Sequence, residues 1–262
     1  KNDLKKNKPS ILFLGDSFVE GQGSDAWINN FNGQFKELQI INGGVMGTGP
    51  QQFELLESHI SKHFSVKKLI FFYIGDDLRR NIFNISDKSL TCLKNHEKCI
   101  GDENFYGFPF KNEDPDEFLN KLSDFRVNQN NLISLPEKIK NNIKYFFLNL
   151  YSIKIVKNFL RQKFYFSKNE YIKRNFQSIE NLYKKYDDSI IFIQLTNKNE
   201  IIHGKEYDTF YAEKFIKNLT KNHFVCDFGK NIENFHKIDM HPNKNGYKHL
   251  FDCVQRILLS KY

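Results

Sequence analysis

No apolar run in this chain of 262 residues is long enough to cross a membrane. The longest, Leu69 to Ile74, falls far short of the roughly 18 residues a spanning helix needs. No phosphate-cradling glycine loop followed by Lys and Ser or Thr is present, and the eight histidines are scattered without metal-ligand spacing. Nucleotide and metal chemistry therefore have no visible carrier, and no cofactor is expected. No nucleic-acid-binding module is visible either, so nucleic acid is not an expected partner in spite of a formal net charge of +8. Four cysteines in a chain of this length do not make a disulfide-stapled miniprotein. Internal repeats and low-complexity linkers are also missing, so residues 1–262 read as a single domain. The sequence opens at Lys1 without a methionine and reads as a fragment or mature form, so localisation has to be argued from other features.

What is present is core-forming material. Hydrophobic residues make up 40% of the chain and aromatics 15%, with 27 Phe and 12 Tyr, which excludes intrinsic disorder. The positive charge is concentrated. Residues 137–174 hold ten Lys and Arg against Glu137 and Glu170, interleaved with Ile139, Ile143, Phe146, Phe147 and Phe159. Such a pattern suits contact with an anionic membrane surface through the segment 136–174, or a lid over a crevice, or a helix whose lysines are merely solvated.

Short runs rich in Ile, Phe, Leu and Val predict strands over Ser10 to Leu14, Leu38 to Ile41, Lys68 to Ile74, Ser189 to Leu195 and Phe224 to Phe228. Each ends in a polar or Gly-containing turn, the pattern of parallel strands covered on both faces. Helical spacing predicts Pro50 to Phe64, Glu170 to Tyr186 and Gly246 to Leu259. Alternation of the two predicts an α/β fold, a three-layer α/β/α sandwich on a mostly parallel five-stranded sheet of the flavodoxin-like type. The stretch at about 78–188 interrupts that alternation and reads as an insertion or lid.

Four motifs carry chemistry. Gly15-Asp16-Ser17 follows the first strand, at the carboxyl edge where open α/β sheets bind ligands, and so places Ser17 as a candidate nucleophile. Asp239 and His241 precede the last helix and supply the acid and base types that a serine nucleophile needs. The turn Asn42 to Pro50, with Gly47, follows the second strand, and Gly75-Asp76-Asp77 follows the third. Backbone N–H groups of such turns can point at a developing oxyanion. Each motif alone also reads as an ordinary turn or helix cap; their common placement at strand ends makes them converge.

In this order the motifs resemble the SGNH hydrolases, also called GDSL esterases and lipases. The resemblance covers about residues 10–80 and 189–260. It implies catalysis by Ser17, His241 and Asp239, with an oxyanion hole from Ser17, Gly47 and the residue at position 76. Two departures stand out. Position 76 holds Asp where the family has Asn, and an ionised carboxylate cannot donate to an oxyanion. Three arrangements are open: Asp76 protonated, Asp76 turned aside to pair with Arg79 or Arg80, or an inactive site. The family's acid usually lies three residues before its His, where this chain has Ile238. A Ser17–His241 dyad, or orientation of His241 by Asp227, therefore stands beside the Asp239 assignment.

The expected activity is ester hydrolysis through an acyl-enzyme, removing small acyl groups such as acetyl from a glycan. Transfer of the acyl group to a polysaccharide hydroxyl, or a non-catalytic role in binding a polysaccharide or membrane surface, are the alternatives. Cys92 and Cys99 are expected to close a disulfide in the insertion, pointing to a periplasmic or otherwise exported protein over a cytoplasmic one. Cys226 and Cys253 are expected to be core thiols.

Overall fold

Seven-residue β1 (Pro9–Gly15), almost entirely buried, is an interior strand of the sheet. It pairs in parallel with β2 (Gln39–Gly44) on one side and β3 (Ser65–Tyr73) on the other. Beyond β3 lie β4 (Ile190–Leu195) and β5 (His223–Cys226), also parallel, giving the order β2-β1-β3-β4-β5. This computed structural model describes residues 4–22, 26–35, 37–80, 170–237 and 240–261. All of these fall in one unit of the chain, Lys1–Ile82 with Phe147–Tyr262; the other unit, Phe83–Phe146, lies outside the described residues.

The strands are apolar on both faces because both are covered. Alternate residues Ile11, Phe13, Ile70, Phe72, Ile191 and Ile193 join a cluster with Trp27, Phe31 and Leu250. The intervening Leu12, Leu14, Leu69, Phe71, Ile190 and Phe192 join Phe53, Ile179, Leu182 and Ile216 on the opposite side. The first face is closed by α6 (Lys244–Lys261), together with the short α1 (Ser17–Glu20), the 3₁₀ turn Trp27–Phe31 and α4 (Lys198–His203). The second is closed by α2 (Pro50–Ile60), α3 (Glu170–Tyr186) and α5 (Tyr207–Leu219). The result is the α/β/α sandwich expected from the strand and helix alternation.

Local chemistry explains where the elements differ from the sequence reading. Helix α2 stops at Ile60, four residues before Phe64, because Ser61 to Phe64 form a turn that leads into β3. Strand β5 ends at Cys226, and Asp227 caps the turn that follows by accepting the Gly229 N–H at 3.1 Å. Within the span 78–188, α3 contributes Ile179 and Leu182 to the core, so its last residues are part of the sandwich itself. The remainder, residues 81–169, and with it nearly all of the basic segment 136–174 and the Cys92–Cys99 pair, lies outside the described residues. Cys226 and Cys253 are not free thiols: they form a disulfide joining β5 to α6, with Cα atoms 5.9 Å apart. Their strand and helix lie side by side, which brings positions 27 residues apart within bonding distance.

Candidate active site

The chain order reverses between β1 and β3, the switch point at which an open parallel sheet leaves a crevice beyond its carboxyl ends. The turn carrying Ser17 leaves β1 there, and Gly75-Asp76-Asp77 leaves β3. Asp16 caps α1 by accepting the Phe18 N–H at 3.0 Å, which sets Ser17 as the first residue of that helix. Two glycines let the turn pack. A Cβ on Gly15 would lie 2.3 Å from Val19 Cγ2, and one on Gly44 only 2.2 Å from the Glu20 backbone nitrogen. At Gly47 the backbone is left-handed, with φ of 72°, where glycine is favoured. That turn is held over α1 by Val45 N–H donating to Gly15 C=O at 3.1 Å and Met46 N–H donating to Glu20 Oε2 at 3.0 Å.

Ser17 is 4% exposed, and its Oγ lies 2.7 Å from His241 Nε2, although the two residues are 224 positions apart. His241 is half-buried against the ring of Phe18, 5.4 Å between centroids. Its loop is braced by asparagines. Asn234 Nδ2 donates to Phe228 C=O at 2.7 Å, Asn243 Nδ2 donates to Glu233 C=O at 2.6 Å, and Asn243 Oδ1 accepts from the Asn245 and Gly246 N–H groups at the start of α6. Asp239 lies outside the described residues. Asp227 is exposed and its carboxylate is engaged in its own turn.

Asp76 takes the second of the three arrangements open to it: its carboxylate pairs with Arg79, which also lies 2.8 Å from the buried Asp208. No hydrogen bond among the described residues engages the backbone N–H of Ser17 or Gly47. Asp76, Glu206 and Asp208 bring carboxylate oxygens within 4.8 Å of one another, but Arg79 pairs with two of the three and supplies the cluster's countercharge.

One participant was not assigned from sequence beyond being a possible partner of Asp76. Arg80 Nη1 donates to Asp16 Oδ2 at 3.0 Å and to Thr48 C=O at 2.9 Å, and lies 2.7 Å from Asp77 Oδ1. Burial works against the Arg80 charge, yet Asp77 and Asp16 hold it above its ordinary range. Burial, and then the Asp16 carboxylate, push the fully buried Asp77 well up, against the pull of Arg80 and of the Ile74 N–H it accepts. Two adjacent arginines just past a strand-end Asp-Asp pair are the sequence signal for such a cluster; which arginine meets which acid depends on the turn.

No family model matches the chain, and no curated protein matches it. Among solved structures it is similar to a member of the lipolytic protein G-D-S-L family from Veillonella parvula, with a TM-score of 0.46 at 10% identity over 96% of this chain and 98% of that one. It is likewise similar to a GDSL-like lipase from Bacteroides thetaiotaomicron, with a TM-score of 0.44 at 10% identity over 97% of this chain and 89% of that one.

Proposed function

We propose that the chain is a serine esterase of the SGNH type. The observation that carries this reading is the 2.7 Å contact between Ser17 Oγ and His241 Nε2 at the carboxyl edge of a parallel sheet. In this mechanism His241 Nε2 takes the hydroxyl proton as Oγ attacks the ester carbonyl. The oxyanion of the tetrahedral intermediate is bound by the backbone N–H groups of Ser17 and Gly47, with Asp76 withdrawn to Arg79. His241 then passes its proton to the leaving alcohol, and water, activated by the same imidazole, releases the acid from the acyl-enzyme. Asp239 is assigned to orient His241.

The substrate class we propose is a glycan bearing small acyl esters, which suits an open crevice at the carboxyl edge of the sheet with a strongly basic segment in the same chain. An extracytoplasmic location is supported by the Cys226–Cys253 disulfide, since such bonds persist in oxidising compartments. No helix among the described residues is long and apolar enough to cross a membrane.

Intact-mass detection of fluorophosphonate labelling tests the reading. A single adduct on the wild type, lost in Ser17→Ala and His241→Ala, is expected, followed by acetate release from acetylated sugars. A folded wild type that takes no adduct would overturn it.

A further inference from the structure

The Ser17 hydroxyl has one proton and two acceptors within reach: His241 Nε2 at 2.7 Å and Asp16 Oδ2 at 3.4 Å. A proton given to Asp16 points away from the base, and a buried carboxylate is an intrinsically strong acceptor. Asp16 is 2% exposed, so water does not satisfy that oxygen; Arg80 does, donating to the same Oδ2 at 3.0 Å. The remaining hydrogen of Arg80 Nη1 goes to Thr48 C=O, in the residue that follows Gly47. Arg80 is itself anchored. Its C=O accepts from the buried Asn175 Nδ2 at 2.9 Å, its N–H donates to Asp77 C=O at 3.2 Å, and Asp77 Oδ1 lies beside its guanidinium.

We propose that Arg80 is a positioning residue: by occupying Asp16 Oδ2 it leaves the Ser17 proton to His241, and by holding Thr48 it fixes the Gly47 turn to the same anchor. This rests on the reading of Ser17 as the nucleophile. The charged groups facing Arg80 are Asp16, Asp77 and Asp76, so its removal is best made with charge balance kept.

The test compares Arg80→Met/Asp77→Asn with the same pair carrying Asp16→Asn, whose amide oxygen can still cap Phe18. The first is expected to lose about 100-fold in fluorophosphonate labelling rate and in kcat for p-nitrophenyl acetate, with KM nearly unchanged. Adding Asp16→Asn is expected to restore at least about 10-fold of that, because no carboxylate is left to take the Ser17 proton. A readout independent of turnover is the ¹⁵N shift of His241 Nε2 at one alkaline pH. In the double variant it should move toward the value found in Ser17→Ala, and it should return when Asp16→Asn is added. Loss of rate without recovery, or an unmoved ¹⁵N shift, would assign Arg80 to structure alone and overturn the proposal. A wild type silent toward probe and ester, with the ¹⁵N pattern intact, would remove the esterase reading and leave the role of Arg80 standing. Should the double variant not fold, Arg80→Lys with and without Asp16→Asn gives the same comparison, with about 10-fold expected in place of 100 because the ammonium lacks the planar fork.

Discussion

Glu57 of α2 and Lys185 of α3 form an ion pair in which both carboxylate oxygens lie 2.9 Å from the ammonium, and the carboxylate is only 2% exposed. Tyr186 donates its hydroxyl to the same group, and burial together with Glu57 holds that phenol protonated well above its usual range. Two helices on one face of the sheet are thereby joined through a single buried acid. Lys185→Met should destabilise the fold by about 2 kcal/mol, since it strands a buried charge, and Tyr186→Phe by about 1 kcal/mol. Urea unfolding of both variants checks the order; a larger loss in Tyr186→Phe than in Lys185→Met would show that the phenol, not the ammonium, is the main partner of Glu57.

Acid should weaken the edge strand β5. Burial pushes the His223 imidazole down to about 4, with Glu213 opposing and Lys217 and Lys205 assisting. Its Nε2 lies 2.8 Å from the buried Tyr73 hydroxyl. The unfolded chain binds a proton near pH 6.5 and the folded one only near 4, so stability is complete above about pH 6.5 and is lost as pH falls through that window. Because the imidazole is partly open to solvent, the loss is on the order of 1–2 kcal/mol. His223→Gln should flatten the pH dependence of urea midpoints between pH 7 and 4.5.

The Cys226–Cys253 bond closes a loop of 27 residues' separation, which corresponds to about 3.5 kcal/mol if it acts chiefly on the unfolded chain. Melting with and without reductant measures it. An unchanged midpoint in the Cys226→Ser/Cys253→Ser variant would show that packing of α6 on β5 suffices.

Gly44→Ala should act on Ser17 through the backbone. The added Cβ would meet the Glu20 nitrogen and the Val19 carbonyl carbon, atoms of α1 that cannot swing aside. A loss of about 2–3 kcal/mol is expected, together with slower probe labelling per folded molecule.

Asp76→Asn is expected to leave kcat/KM within about 5-fold of wild type, because it changes only a half-exposed pair with Arg79. A gain above that, visible in the pH–rate profile, would place the side chain in the oxyanion hole.

The five strands were legible because each is a short apolar run buried on both faces, and the parallel order follows from the helical pattern between them. Helices α4 and α5 were not read, although Asn197 and Glu200 form a capping box at the start of α4. The segment between β4 and β5 carries many Lys, Glu and Asn that hide the apolar stripe of Ala212 and Ile216. The meeting of Ser17 and His241 was legible from their places at a strand end and before a helix. The Cys226–Cys253 bond was not, because pairing depends on how closely a strand and a helix lie once folded. Nor was the reach of Arg80: a long side chain's partners are set by the turn geometry around Asp16, Thr48 and Asp77, three points brought together only by the sheet.

The 224 positions between Ser17 and His241 also set a clock. Ser17 is made early and His241 very late, so during synthesis every strand of the sheet has been made before the hydroxyl can meet the imidazole. Contacts this distant in sequence form slowly, after the loop-closure entropy of the whole intervening chain has been overcome. On the reading of Ser17 as nucleophile, the onset of probe reactivity in a refolding experiment should mark the closing of the Ser17–His241 contact.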